Sequence, residues 1–416
     1  MGEEEKDKSN GFSFMQEKIK QRPVYQNPLV RKALRSVCFG ALFGGTALLI
    51  WAAALPHLDR QAEKQEIQPI EIPEEEEQEE TEEDATVYIT ETVSMELEDY
   101  KKLYQQLMQI GTQTEKSMAT ISALTTDTDW FDGTLTSQRS AAGLVIGDNG
   151  LELLLLTEYE EVRDGELMVT FFDRTTAAAS LKKYDANTGL AIVSVNLSDV
   201  SESTREIVTD AQLGSSKSLR SGEPVIAVGN PLGSGSILFG NLTSVSQTAA
   251  LYDSAYNVLT TDILEGSGGS GVLVDWDGRI IGLIQSKCEV SGQNGTIQAY
   301  GISDMKSMIE HLSNNQDIVY MGIVGADVTT AISEREEIPV GVYVSQVTLD
   351  SPAIEAGIQP GDIITSMSGQ TVTNLKDMMS ILLKCSNGQS IDVICQRPGM
   401  DGYQELELSV TLKILE

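Results

Sequence analysis

Ile263-Leu264-Glu265-Gly266-Ser267-Gly268-Gly269-Ser270-Gly271-Val272-Leu273-Val274 is a glycine-serine loop that runs into an apolar segment. Small residues let a backbone come close to a bound chain, and two N–H groups of such a loop can turn toward a developing oxyanion. The same composition also makes an ordinary turn between strands, so the stretch is decided by its surroundings. From Met118 onward those surroundings are β. Ala142–Ile146, Leu151–Thr157, Leu167–Phe172, Leu190–Val195, Pro224–Val228, Val258–Thr261, Gly271–Val274 and Arg279–Ile284 are short apolar runs, several of them β-branched. Asp148-Asn149-Gly150, Asp277-Gly278 and Asn230-Pro231-Leu232-Gly233 separate them. Many short strands with turn signals predict an all-β barrel or sandwich, closed by a helix over Ser303–Leu312.

A second unit follows over Tyr320–Leu412. Its pattern gives strands at Ile323–Val328, Gly341–Val347, Ile363–Met367, Ile391–Gln396 and Glu405–Leu412, with helices at Pro352–Ala356 and Leu375–Lys384. Before the β region, Met95–Ile110 reads as a short helix with Ser94 as N-cap, and Leu97, Tyr100, Tyr104 and Leu107 fall on one face. That face is expected to pack on the following domain or on a second copy. Earlier still, Val37–Leu55 holds 19 residues without a charge, long enough to cross a bilayer as a single transmembrane helix. Lys18, Lys20, Arg22, Arg31, Lys32 and Arg35 precede it and place the N-terminus in the cytoplasm. A cleaved signal peptide, with Ala52-Ala53-Ala54 as its site, is the rival reading; the charged lead is longer than a usual n-region. Residues 1–36 read as a disordered tail and 56–93 as an acidic stalk, since the ten acids of Glu71–Asp84 repel one another and keep the chain extended.

The net charge of −33 speaks against nucleic acid as a partner, because a phosphate backbone needs stripes of Lys and Arg. Cys38, Cys288, Cys385 and Cys395 are scattered. They form neither a disulfide framework nor a metal motif, and buried free thiols are expected. No cofactor motif is present: Gly233-Ser234-Gly235 lacks the strand–helix setting of a phosphate loop.

Four segments, in order, resemble trypsin-like proteases of the HtrA/Deg type. Ala142–Ile146 with Asp148-Asn149-Gly150 looks like the strand and turn before the catalytic histidine, and Tyr184–Val193 like the aspartate segment. Gly222-Glu223-Pro224-Val225-Ile226-Ala227-Val228-Gly229-Asn230-Pro231-Leu232-Gly233 is close to a family hallmark, and Thr261-Asp262 through Val274, then Asp277–Gly282, looks like the serine segment. Ser351-Pro352-Ala353-Ile354-Glu355-Ala356-Gly357-Ile358-Gln359-Pro360-Gly361-Asp362-Ile363-Ile364 resembles a PDZ domain. The resemblance implies a mainly β chain: a trypsin-like double β-barrel over 112–315 and a PDZ domain over 316–416. The short helix at 94–111 and the transmembrane helix come before them.

Counted from Thr261-Asp262 without gaps, the nucleophile position falls on Ser270, with the N–H groups around Gly268 and Gly269 as oxyanion loop; Ser267 is the second choice. The rest of the triad is missing. Glu160 stands where the family has histidine and Gly189 where it has aspartate, while His57 and His311 lie elsewhere. A carboxylate with an ordinary pKa near about 4.3 is a poor base for an alcohol and a poor acid afterwards. Loss of the histidine from such a triad costs on the order of 10⁶ in turnover. Lys287 is a weak substitute base. The expected protein is therefore a pseudoprotease, with a serine endopeptidase using an unorthodox base as the alternative. The PDZ resemblance makes Tyr320-Met321-Gly322-Ile323 the loop that holds a peptide carboxylate, and Met378, Met379 and Leu382 its apolar pocket. The implied partners are peptide C-termini or unfolded proteins, and the family's habits imply a homo-oligomer (a trimer) or assembly with an active paralogue.

Overall fold

A computed structural model describes residues 96–129, 133–232, 235–266, 269–285, 288, 295–400 and 402–415, together with 69 and 71. The tail, Val37–Leu55, the stalk apart from Pro69 and Glu71, Ser94, Ser267, Gly268 and Lys287 lie outside the described residues. Among the described residues no helix is long and apolar enough to cross a membrane.

The chain enters through helix α1 (Leu97–Glu115), capped by a reciprocal box between Glu96 and Asp99. The expected packing face is corrected here. Leu97, Tyr100 and Tyr104 are exposed, whereas Leu107 and Ile110 pack on the barrels and Gly111 and Thr114 are buried. Most of the seam lies in the C-terminal half of the helix, and ahead of it the exposed Tyr104 ring still meets Phe239 of the second barrel edge-on at 6.1 Å.

Six strands close the first barrel: β1 (Met118–Asp129), β2 (Gly133–Asp148), β3 (Glu152–Glu158), β4 (Glu166–Thr170), β5 (Thr176–Asp185) and β6 (Leu190–Asn196), in the order β1-β2-β3-β6-β5-β4. One helical turn, α2 (Tyr159–Val162), follows β3, and α3 (Glu202–Ile207) leads out of the barrel. The second barrel runs β10-β11-β12-β9-β8-β7. Its strands are β7 (Pro224–Asn230), β8 (Ser236–Leu251), β9 (Ser254–Leu264), β10 (Ser270–Val274), β11 (Ile280–Ile284) and β12 (Thr296–Gly301), and α4 (Ile302–Ser313) closes it.

The unbroken apolar runs have a simple cause. Successive strand residues face opposite sides, and here both sides are buried. Leu153 and Leu155 fill the first barrel, while Leu154 and Leu156 face the second. Likewise Val225, Ala227 and Leu273 fill the second barrel, and Ile226, Val228, Val272 and Val274 face the first. The seam between barrels is thus a core in its own right, extended by Met305, Met308, Ile309 and Leu312 of α4.

The C-terminal unit is a sheet ordered β14-β15-β16-β18-β19, with β17 paired to β16. After the short β13 (Val319–Tyr320) come β14 (Ile323–Val328), α5 (Thr330–Glu336), β15 (Gly341–Val347), α6 (Pro352–Ala356), β16 (Ile363–Met367), β17 (Gln370–Thr371), α7 (Leu375–Leu382), β18 (Ser390–Gly399) and β19 (Gly402–Thr411). The buried Asp362 carboxylate takes a two-pronged bond from Arg397 at 2.7 and 2.8 Å, the strong geometry for this pair. The unit is not a bead on a string. Met379 and Leu383 pack against the seam between the barrels, and His311 Nε2 lies 2.5 Å from the Leu383 carbonyl oxygen. Cys288, Cys385 and Cys395 are free thiols; burial pushes the Cys288 thiol up to about 12 and does the same to Cys395.

Candidate active site and peptide groove

Ser270 opens β10 opposite Asn230 of β7, at the seam between barrels, and is buried. Its loop needs glycine: a Cβ on Gly269 would lie 2.5 Å from the Pro231 carbonyl oxygen. The Ser270 hydroxyl is already engaged, since its Oγ accepts the Ala142 N–H at 2.9 Å. The Ala142 carbonyl in turn accepts the Thr157 hydroxyl at 2.9 Å. The serine therefore ties β10 to β2 across the seam. Around it lies a cavity of about 20 Å³, on the scale of one water, whose polar lining is Ser270, Thr157, Glu158 and Gln285.

The other positions expected of a triad do not converge on this hydroxyl. Glu160, on the surface turn α2, accepts a bond from Arg163 Nη1 at 2.8 Å and is not among the residues lining the cavity. Gly189 offers only backbone, and its carbonyl accepts the Tyr159 N–H at 2.7 Å. Asp185 is committed to its own loop, accepting from the Thr188 N–H at 2.9 Å and the Thr188 hydroxyl at 2.6 Å. His311, the one histidine among the described residues, sits on α4 beside Leu383. The carboxylate that does share the cavity is Glu158, which the sequence reading passed over. A signal existed: Leu154, Leu156 and Glu158 alternate along β3, so the glutamate continues the face turned to the second barrel.

In the C-terminal unit, the N–H groups of Met321, Gly322 and Ile323 converge as expected of a carboxylate loop. Gly322 has φ +90°, and a Cβ there would lie 2.4 Å from Ser351 Cβ. The loop holds a carboxylate from within the chain. Asp253, in the Tyr252-Asp253 turn between β8 and β9, accepts from Met321 at 2.6 Å, from Gly322 at 3.0 and 3.2 Å, and from Ile323 at 3.0 Å. The Asp253 N–H donates back to the Ile323 carbonyl at 2.7 Å. Asp253 is 2% exposed. Burial pushes its pKa up to about 6, against the opposing pull of the three N–H donors. Tyr320 is half-buried beside the loop, and Met378 and Leu382 are wholly inside the core of this unit. No sequence signal marked Asp253, because its partners are about seventy residues away.

A family model described as a trypsin-like peptidase domain matches residues 141–283, and one described as a PDZ domain matches 312–412. The chain is 28% identical over 294 residues to the serine protease Do-like HtrA of Bacillus subtilis (strain 168), covering 66% of this chain and 64% of the relative. These matches support an HtrA/Deg-type family. A second Bacillus subtilis (strain 168) member, Do-like HtrB, is 30% identical over 238 residues, 53% of this chain and 50% of its own. Mitochondrial HTRA2 of Drosophila ananassae is 28% identical over 310 residues, 68% of each chain. The match thus spans half to just under two thirds of the two Bacillus relatives. Among solved structures, the HtrA-type protease AlgW with decapeptide superposes with a TM-score of 0.52 at 20% identity, over 74% of this chain and 99% of that one. AlgW with tripeptide gives 0.51 at 22%, over 74% and 97%. Both likenesses concern the fold of the family.

Proposed function

We propose that this HtrA/Deg member is a membrane-anchored, extracytoplasmic pseudoprotease that binds peptides or unfolded proteins through its PDZ domain. The observation that carries the loss of catalysis is the Ala142 N–H donating to the Ser270 hydroxyl oxygen. Attack on a carbonyl needs that oxygen's lone pair and a base for its proton. Here one of the oxygen's two lone pairs serves a backbone amide, and the residue expected at the histidine position is paired with Arg163 on the surface. The anchor rests on Val37–Leu55 and the basic residues before it. Assembly as a trimer, or with an active paralogue, is the family's habit carried over.

A second reading, a serine endopeptidase with a non-standard base, draws on Glu158 lining the same cavity as Ser270. Fluorophosphonate labelling of the purified chain, together with casein degradation, separates the two. A pseudoprotease gives no label and no fragments, at pH 7 and equally at pH 5. Labelling that Ser270→Ala abolishes and Glu158→Gln weakens would establish the second reading instead.

A further inference from the structure

An extended peptide that ends in a PDZ groove presents two things at its last residue: a carboxylate for the loop N–H groups and a backbone N–H for the adjoining strand. The turn between β8 and β9 presents the same two. The Asp253 carboxylate accepts from Met321, Gly322 and Ile323, and the Asp253 N–H donates to the Ile323 carbonyl. The likeness continues past the tip. β9 packs against both β14 and α7, the two walls of the groove, and Ala255 of β9 rests on the PDZ core. The edge of β14 that would take an added strand therefore has an arm of the second barrel against it.

We propose that Asp253 is a built-in pseudo-ligand of the PDZ domain, and that a peptide with a free carboxylate enters only by displacing the β8–β9 hairpin. This rests on the peptide-binding reading above and adds its regulation and its competitor. The geometry supplies a reason for the competitor to be an aspartate. A carboxyl group turns two acceptor oxygens to the three converging N–H donors, where the amide of Asn would set an NH2 against one of them, and Asp tolerates the left-handed conformation, φ +56°, that the turn imposes here. The hairpin is also held from behind. Asn187 donates to the Tyr252 carbonyl at 2.8 Å and accepts the Tyr252 N–H at 3.1 Å. Asn187 belongs to the loop that ends at Gly189, so freeing the hairpin loosens the loop next to α2. Asn187 is a positioning residue for the pseudo-ligand.

The test uses the full chain in detergent. Four fluorescein-labelled decapeptides ending in Val, Ile, Leu or Phe, each as free acid and as amide, are titrated by anisotropy against wild type, Asp253→Asn and Asn187→Ala. Asparagine keeps the size of the side chain and the tolerance for positive φ, so the turn is retained. The expected result is at least tenfold tighter binding of a free-acid peptide by Asp253→Asn than by wild type, an intermediate gain for Asn187→Ala, and no gain for the amides. Hydrogen exchange supplies a readout that needs no peptide: the amides of Met321, Gly322 and Ile323 exchange faster in Asp253→Asn. Equal, amide-sensitive binding by wild type and Asp253→Asn would overturn the pseudo-ligand and leave the peptide-binding reading standing. No binding by either, with the loop amides exchanging faster in the variant, would overturn both.

Discussion

At the scale of single residues, Ser270 has a structural task. In a working serine hydrolase the hydroxyl is expendable for folding and indispensable for turnover. Here it satisfies the Ala142 N–H at a buried seam, and a buried donor left without a partner costs about 1–3 kcal/mol. Ser270→Ala is therefore expected to lower the denaturation midpoint by a stability loss in that range, measured in urea, and, on the pseudoprotease reading proposed above, to leave hydrolysis unchanged. A neutral effect on stability would return Ser270 to the status of a spare nucleophile. Glu160, expected from the sequence at the histidine position, lies on the surface. Its partner, Arg163, lies three residues on at an exposed site, where such a pair contributes only about 0–1 kcal/mol to folding.

At the scale of elements, the β8–β9 hairpin does two jobs. Its strands complete the second barrel, and its turn fills the carboxylate loop of another unit. Docking raises the Asp253 pKa from its ordinary 3.8 to about 6, so between these values the docked state binds more protons than the released one. The sign follows from linkage. Docking is strongest below about 4 and weakens as pH rises through about 6, with no further change above it. Free-acid peptides should accordingly bind wild type more tightly at pH 7 than at pH 5, by up to about tenfold, since each pKa unit is worth a factor of ten. Tyr252, Tyr320, Lys413 and Glu355 also lie in this neighbourhood, as does the peptide's own carboxylate. Asp253→Asn measured over the same range subtracts their share, and a profile as steep in the variant as in wild type would remove Asp253 from the account. The strands of the sheet were largely legible beforehand: Ile323–Val328, Gly341–Val347 and Ile363–Met367 fall where alternation places them. β5 and β8 were not, because Thr176–Asp185 and Ser236–Leu251 are half-exposed mixtures of small and polar residues whose pairing is fixed by neighbouring strands.

At the scale of the whole molecule, the barrels and the PDZ unit share apolar surface. Met379 and Leu383 enter the seam between barrels, Asp253 enters the PDZ loop, and His311 meets Leu383. Domains joined through buried contacts of this kind unfold together, whereas a loose interface permits separate transitions. Calorimetry of the purified chain should give one transition for barrels and PDZ, and Met379→Asp, which buries a charge at the junction, should split it in two. Two transitions in the wild type would contradict the shared core. Sequence by itself determined the double barrel, the PDZ unit and their order, because local alternation, turn chemistry and residue identity are written along the chain. Tertiary structure alone decided that Glu158 rather than Glu160 shares a cavity with Ser270, that the Ala142 N–H bonds the serine hydroxyl, and that Asp253 sits in the Met321–Ile323 loop. Those pairings join residues 128 and about seventy positions apart, and which buried donor meets which acceptor at that range is fixed by packing.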